Sequence, residues 1–161
     1  MLHTIRIDDI EILTKWFKWL AGHPNYDFKM SARKAFGDEM DTCKPKDEHT
    51  YYIVCSDNKG LSLVRTTPPF SNNSIGISFS RIFDKTPEQR ETEAHLWLKN
   101  ALDEKIYPAC REKGISLILI KPITCGGKRV CEELYKLPHN KNQNVVLYEN
   151  GSVHIRLDYP S

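Results

Sequence analysis

The chain has 161 residues, of which 40% are apolar and 27% are charged, and its formal net charge is +2 at pH 7. This length and composition are typical of one soluble globular domain, so we expect a single domain over residues 1–161. The small net charge argues against nucleic-acid binding. The longest apolar run, ISLILI at 115–120, is too short to cross a membrane.

The cysteines and histidines show no spacing typical of a metal site. The five cysteines contain no CxxC pair, and the six histidines contain no HxxxH pair. We therefore expect no metal and no disulfide framework. The N-terminal residues MLHTIRIDD lack the apolar segment of a signal peptide, so we expect a cytoplasmic protein.

The N-terminal third predicts one strand and two helices. The segment TIRI at 4–7 has the composition of a short strand. The segment IEILTKWFKWLAG then places apolar side chains at helical spacing behind the N-cap candidates Asp8 and Asp9. A second, weaker amphipathic pattern predicts a helix over 31–40.

Three strands follow in the middle of the chain. The segments at 50–56 and 61–67 flank the turn DNKG, which predicts a hairpin. The segment IGISFSRIF at 75–83 alternates apolar and polar residues, as a third long strand does.

The second half predicts helices and strands in alternation. A long helix is expected over 87–113, with Pro108 causing a kink or an early stop. The run at 115–120 is typical of a fully buried strand, and residues 126–137 predict a short helix. The chain ends in NVVLYENGSVHIRLDY, whose Asn150-Gly151 pair predicts a hairpin turn.

This order of elements resembles that of the GNAT acyltransferase superfamily. TIRIDDIEILTKWFKWL is similar to its opening strand and first helix, REKGISLILI to a helix end and buried strand, and VCEELYKLP to the short helix that carries a tyrosine. The resemblance covers nearly the whole chain. It implies an α/β fold with a mixed, mostly antiparallel sheet of six to seven strands flanked by helices, but a fold alone does not establish an activity.

The family binds the pyrophosphate of coenzyme A through a motif Q/R-x-x-G-x-G/A at the start of its central helix. Here QRETEA gives Gln89, Thr92 and Ala94 in one register, and Arg90, Glu93 and His95 in the other. Both registers lack the middle glycine. The resemblance implies that acetyl-coenzyme A is the cofactor and that Gln89, Arg90 and Thr92 hold it.

A second interpretation of the same segment needs no ligand. TPEQ at 86–89 matches a capping box, with Thr86 as N-cap, Pro87 at the first helical position and Gln89 at the third. The nearby glutamates favour the positive end of a helix and would repel a phosphate. A pyrophosphate loop and a self-capped helix start both remain open.

The resemblance also implies the catalytic groups. Tyr135 matches the tyrosine that donates a proton to the leaving thiolate, and Asp84 matches the carboxylate that acts as base. The backbone amides of Ser80, Arg81 and Ile82 match those that polarise the acyl carbonyl. Without that resemblance, Tyr135 would be a tyrosine packed under the last strands, and Asp84 a solvated turn residue.

Two functions follow. The first is an N-acyltransferase that moves an acetyl group from acetyl-coenzyme A to the amine of a small molecule or a protein. The second is a non-catalytic module that kept the fold and binds a protein or nucleic-acid partner. The complete element order favours the first function, and the glycine-free loop favours the second.

Overall fold

The computed structural model describes residues 1–82, 93–138 and 144–157. In chain order its elements are β1 (Leu2–Ile7), α1 (Ile10–Ala21), α2 (Tyr26–Thr42), β2 (Thr50–Ser56), β3 (Lys59–Thr66), β4 (Ser74–Arg81), α3 (Ala94–Ala101), a π-helical turn (Leu102–Ile106), α4 (Tyr107–Lys113), β5 (Leu117–Ile120), α5 (Cys125–Lys136), β6 (Asn144–Glu149) and β7 (Ser152–Leu157). Among the helices in these ranges, none combines the length and the apolar character that a membrane crossing requires.

The seven strands form one mixed sheet in the order β1-β2-β3-β4-β5-β7-β6. Strands β4 and β5 run parallel, and the other neighbouring pairs run antiparallel. This confirms the predicted mixed, mostly antiparallel sheet of six to seven strands.

Each face of the sheet carries its own core, because successive side chains of a strand point to opposite faces. Helices α1 and α2 cover one face, where the buried strand residues include Tyr51, Ile53 and Leu63. Helices α3, α4 and α5 cover the other face, where they include Tyr52, Val54, Val64, Ile118 and Ile155. Strands β1 and β6 form the two edges of the sheet.

Helix α2 is longer than its sequence pattern predicts. It begins at Tyr26 rather than near residue 31, because the side chain of Asn25 accepts a hydrogen bond from the Phe28 amide at 2.9 Å and caps the helix. Phe36 has φ −132° and ψ 40°, which are not helical values, so α2 is kinked there. The kink lies in the segment that packs on the sheet.

The central helix also differs from the prediction. Its described part begins at Ala94, and Glu93 has φ −125° with no side-chain capping bond. The predicted start at 87 and the capping box at 86–89 lie outside the described residues. Pro108 does not stop the helix. It falls in the first turn of α4, where its missing N–H is tolerated, and the π-helical turn immediately precedes that turn.

The hairpin between β6 and β7 confirms the prediction from Asn-Gly. Asn150 has φ 51° and Gly151 has φ 83°. A type I′ turn requires positive φ angles at both central residues. Glu149 and Ser152, which flank these two residues, form the last pair of the ladder between β6 and β7.

Candidate functional site

The sheet opens between its two parallel strands. Strand β5 has only four residues and pairs with Ser74–Ile77 of β4. Strand β4 continues to Arg81, and in the described part of the chain its last four residues pair only with β3. Among the described residues, no strand pairs with that edge of β4 beyond Ile77, where it lies next to the loop that leads from β5 to α5.

Hydrogen bonds to β3 show which backbone groups face this opening. The Ile82 amide donates to the Leu61 carbonyl at 3.2 Å, and the Thr67 amide donates to the Gly76 carbonyl at 3.0 Å. The backbone groups of alternate residues point to the same side of a strand. The even-numbered residues of β4 therefore bond β3, and the amides of Phe79 and Arg81 face the opening.

A cleft of about 550 Å³ occupies this opening. One wall is a face of α2 formed by Asp27, Met30, Ser31, Lys34 and Ala35. The floor comes from β3 and β4 and includes Ser62, Arg65, Ser78, Phe79 and Arg81. The other wall is the loop after β5 and the start of α5, with Lys121, Pro122, Gly126, Gly127 and Arg129.

The charges on this lining are unequal. The cationic side chains are Lys34, Arg65, Arg81, Lys121 and Arg129, whereas Asp27 is the single acid among the described lining residues. A lining of this kind attracts anionic groups, and the attraction is stronger at low ionic strength.

Arg65 ties the floor of the cleft to its α2 wall. Its Nη1 donates to Oε2 of Glu39 at 2.6 Å, and its Nη2 donates to the Ser78 hydroxyl at 2.9 Å. The Tyr51 hydroxyl donates to the same Glu39 oxygen at 3.1 Å. Burial, above all, raises the pKa of Tyr51 well above its ordinary value, so this hydroxyl stays protonated and remains a donor.

The start of α5 needs a glycine where it borders the cleft. The Gly127 amide donates to the Thr124 hydroxyl at 2.9 Å, which caps the helix. A Cβ on Gly127 would lie 2.7 Å from the Cβ of Pro122. The glycine therefore lets the helix approach the loop closely and fixes this wall.

The structure separates the three predicted carbonyl-polarising positions. Ser80 and Arg81 line the cleft, whereas Ile82 is 2% exposed and packs in the core under α1 and α2. The Ile82 amide already bonds Leu61, and by alternation the Ser80 amide faces β3. Only Arg81 among the three has an amide on the open edge, so Ile82 is corrected to a core residue.

The other cofactor and base candidates are not placed. Asp84, Gln89, Arg90 and Thr92 lie outside the described residues, so their predicted roles stay predictions.

Tyr135 lies away from the cleft. It is 45% exposed, and its ring centroid is 5.6 Å from that of Tyr148 on β6. It follows Val130, the last residue of α5 in the described lining, by five residues, which is about 7.5 Å along the helix. The contact with Tyr148 favours the alternative interpretation, a tyrosine packed against the last strands, and the proton-donor role of Tyr135 stays a prediction.

The sequence pattern does not indicate several residues of the cleft. Asp27 lies four residues before the predicted helix, and Lys34 lies in a helix whose amphipathic pattern is weak. Arg65 carried a usable signal, since it is the one charged residue in the predicted strand LSLVRTT.

Comparison with known structures identifies the fold. The alignment with the GNAT domain of S. lividans PAT covers 98% of this chain and 89% of that chain, with 14% sequence identity and a TM-score of 0.53. The alignment with the aminoglycoside acetyltransferase AAC(6')-Ib in complex with coenzyme A covers 98% of this chain and 95% of that chain, with 12% sequence identity and a TM-score of 0.60. The alignment with a putative acetyltransferase from Exiguobacterium sp. 255-15 covers 96% of this chain and 92% of that chain, with 11% sequence identity and a TM-score of 0.52.

No protein-family model and no curated protein matches the sequence. The similarity is therefore one of backbone structure and not of sequence. It shows that the chain has the GNAT fold, as the resemblance in element order predicts.

Proposed function

We propose that this protein is an N-acyltransferase that moves an acetyl group from acetyl-coenzyme A to an amine of a small molecule or a protein. The observation that carries the proposal is the edge of β4 beyond Ile77, which no described strand pairs and where the amides of Phe79 and Arg81 face the cleft. The coenzyme A complex of a protein with this fold, at 12% identity, supports it.

The cleft suits the two chemical parts of coenzyme A. The pantetheine arm carries amide groups, which can bond the edge of β4 as an added strand does. The phosphates need cations, and Lys121 and Arg129 supply them on the α5 wall. Gln89, Arg90 and Thr92 are proposed to hold the pyrophosphate.

Acetyl-coenzyme A, when bound, supplies the acetyl group as a thioester. The neutral acceptor amine forms a bond from its nitrogen to the carbonyl carbon, the carbon–sulfur bond breaks, and the proton that the nitrogen loses balances the charge of the leaving thiolate. The amide of Arg81 would donate to the carbonyl oxygen as negative charge develops there.

A carboxylate near the acceptor amine would take up its proton. Asp84 is proposed from the family resemblance. Asp27 is a second candidate, because it is exposed on the α2 wall and is the single acid among the described residues of the lining. Either carboxylate can act directly or through a water molecule.

Calorimetry with coenzyme A tests the proposal without knowledge of the acceptor. We expect saturable binding. Lys121→Glu should weaken it by about threefold to tenfold, because it reverses a charge on the cleft wall. Lys113→Glu, an exposed change at the end of α4, is the matched control and should leave the affinity unchanged.

Ligand at 100 times its dissociation constant should also raise the free energy of unfolding by about 2.7 kcal/mol. No heat and no thermal shift at millimolar coenzyme A would refute the proposal. That result would favour the second function, a non-catalytic binding module, which the missing glycines of QRETEA support.

A further inference from the structure

The wall formed by α2 and the floor formed by β4 run side by side, and two contacts fix their alignment. The Arg81 guanidinium carbon lies 5.0 Å from the ring centroid of Phe28, and that of Arg65 lies 5.7 Å from the ring centroid of Phe36. The start of α2 therefore lies beside the end of β4. The kink of α2 lies beside Arg65.

This alignment gives the cleft two ends of different character. Asp27 precedes Phe28 and so belongs to the end near Arg81, whose amide faces the cleft and whose guanidinium charge the Asp27 carboxylate offsets. Lys34 lies near Phe36 and belongs to the end near Arg65. Asp27 and Lys34 share one face of α2, seven residues apart, which is about 10 Å along the helix.

The end near Arg65 suits an anion. Arg65 is a fixed cation, since its side chain is 13% exposed and bonds both Glu39 and Ser78. Lys34 adds an exposed positive charge, and the Ser78 hydroxyl, which accepts from Arg65, can donate its own proton to an anion. When Glu39 behind Arg65 is included and Lys121 and Arg129 are left to the phosphates of coenzyme A, the remaining charged side chains, Lys34, Arg65, Arg81, Asp27 and Glu39, still carry a formal charge of +1.

We propose that the acceptor is a small amine that also carries an anionic group, a carboxylate or a phosphate. Its anionic group would lie near Lys34 and Arg65, and its amine near Asp27 and the Arg81 amide, where the N–C bond forms as the C–S bond breaks. A polyamine or another polycation would lack the anionic group that pairs with Lys34 and Arg65, and it would meet three cationic side chains against two carboxylates in this part of the cleft. This inference rests on the proposed acetyl transfer.

Matched acceptors test it. Initial rates of coenzyme A release from acetyl-coenzyme A are measured with ethanolamine, with serine, which adds a carboxylate, and with phosphoethanolamine, which adds a phosphate. Lysine and cadaverine form a second pair, and spermidine represents polycations. We expect kcat/KM to be at least about tenfold higher for the acceptor that carries an anionic group than for its counterpart without that group. Comparison of serine with phosphoethanolamine distinguishes the two anions.

A substitution on the wall makes the test specific. Lys34→Gln should raise the KM for the preferred anionic acceptor about twofold to fivefold and leave the KM for ethanolamine unchanged. Lys105→Gln, an exposed change in the π-helical turn, should alter neither value. A merely structural effect of Lys34 would change both acceptors alike.

Three results would overturn the inference: ethanolamine, cadaverine or spermidine as the best acceptor, no turnover of any anion-bearing amine, or equal effects of Lys34→Gln on both acceptor types. In each case coenzyme A binding by calorimetry, measured without any acceptor, tells whether the proposed function still stands. If coenzyme A does not bind, both proposals fail together.

Discussion

Replacement of Arg65 by leucine should destabilise the fold strongly, because it leaves the Glu39 carboxylate buried without its cationic partner. Glu39 has no exposed surface. Its Oε2 accepts from Arg65 Nη1 at 2.6 Å and from the Tyr51 hydroxyl at 3.1 Å, so the tyrosine alone would remain. Removal of one partner from a buried ion pair costs about 3–5 kcal/mol. We expect a loss in that range for Arg65→Leu.

Two further variants give the expected order of stabilities. Glu39→Gln should cost less, about 1–2 kcal/mol, because the amide keeps an acceptor oxygen and Arg65 borders the cleft, where water can reach it. The double variant Glu39→Leu with Arg65→Leu buries no unpaired charge. It should be more stable than Arg65→Leu alone and return to within about 2 kcal/mol of the parent protein.

Urea unfolding at pH 7, followed by tryptophan fluorescence, measures these differences. Arg33→Leu is the matched control on α2, the helix that carries Glu39, since Arg33 pairs with Asp41 at the surface, where both side chains are well exposed. It should change the free energy of unfolding by less than about 1 kcal/mol. Equal losses for Arg65→Leu and Arg33→Leu, or a double variant no more stable than Arg65→Leu, would refute the reasoning.

Burial raises the pKa of the Cys131 thiol from 9.0 to about 12, so its contribution to stability is complete below pH 9 and is lost as the pH rises toward 12. The free energy of unfolding should therefore fall with pH above pH 9, and Cys131→Ala should make that fall less steep by up to about 1.4 kcal/mol per pH unit. Gly151→Ala should cost about 1–2 kcal/mol in urea unfolding, because φ is 83° and the new Cβ would lie 2.9 Å from Cβ of Lys128, whereas Gly126→Ala has open space and should cost nothing. Tyr135→Phe should leave kcat within about twofold, and a fall of about 10²–10⁴ would instead establish the proton-donor role.

Local patterns in the sequence determined the elements and their order. The alternation in 75–83, the buried run at 115–120 and the pair Asn150-Gly151 each depend on neighbouring residues alone. Their periodicity or turn chemistry therefore identifies them without knowledge of the rest of the chain. The resemblance of that order to the GNAT superfamily predicts the mixed sheet, and the structure confirms it.

The tertiary structure alone decided the cleft. Its opening exists because β5 ends after pairing with Ile77, and the direction of the Arg81 amide depends on the register between β3 and β4. The Arg65–Glu39 contact joins residues 26 positions apart, on a strand and a helix. Contacts of this kind depend on how separate elements pack, and local propensity carries no information about that packing, so Arg65 became a site residue only when the helix and the sheet came together.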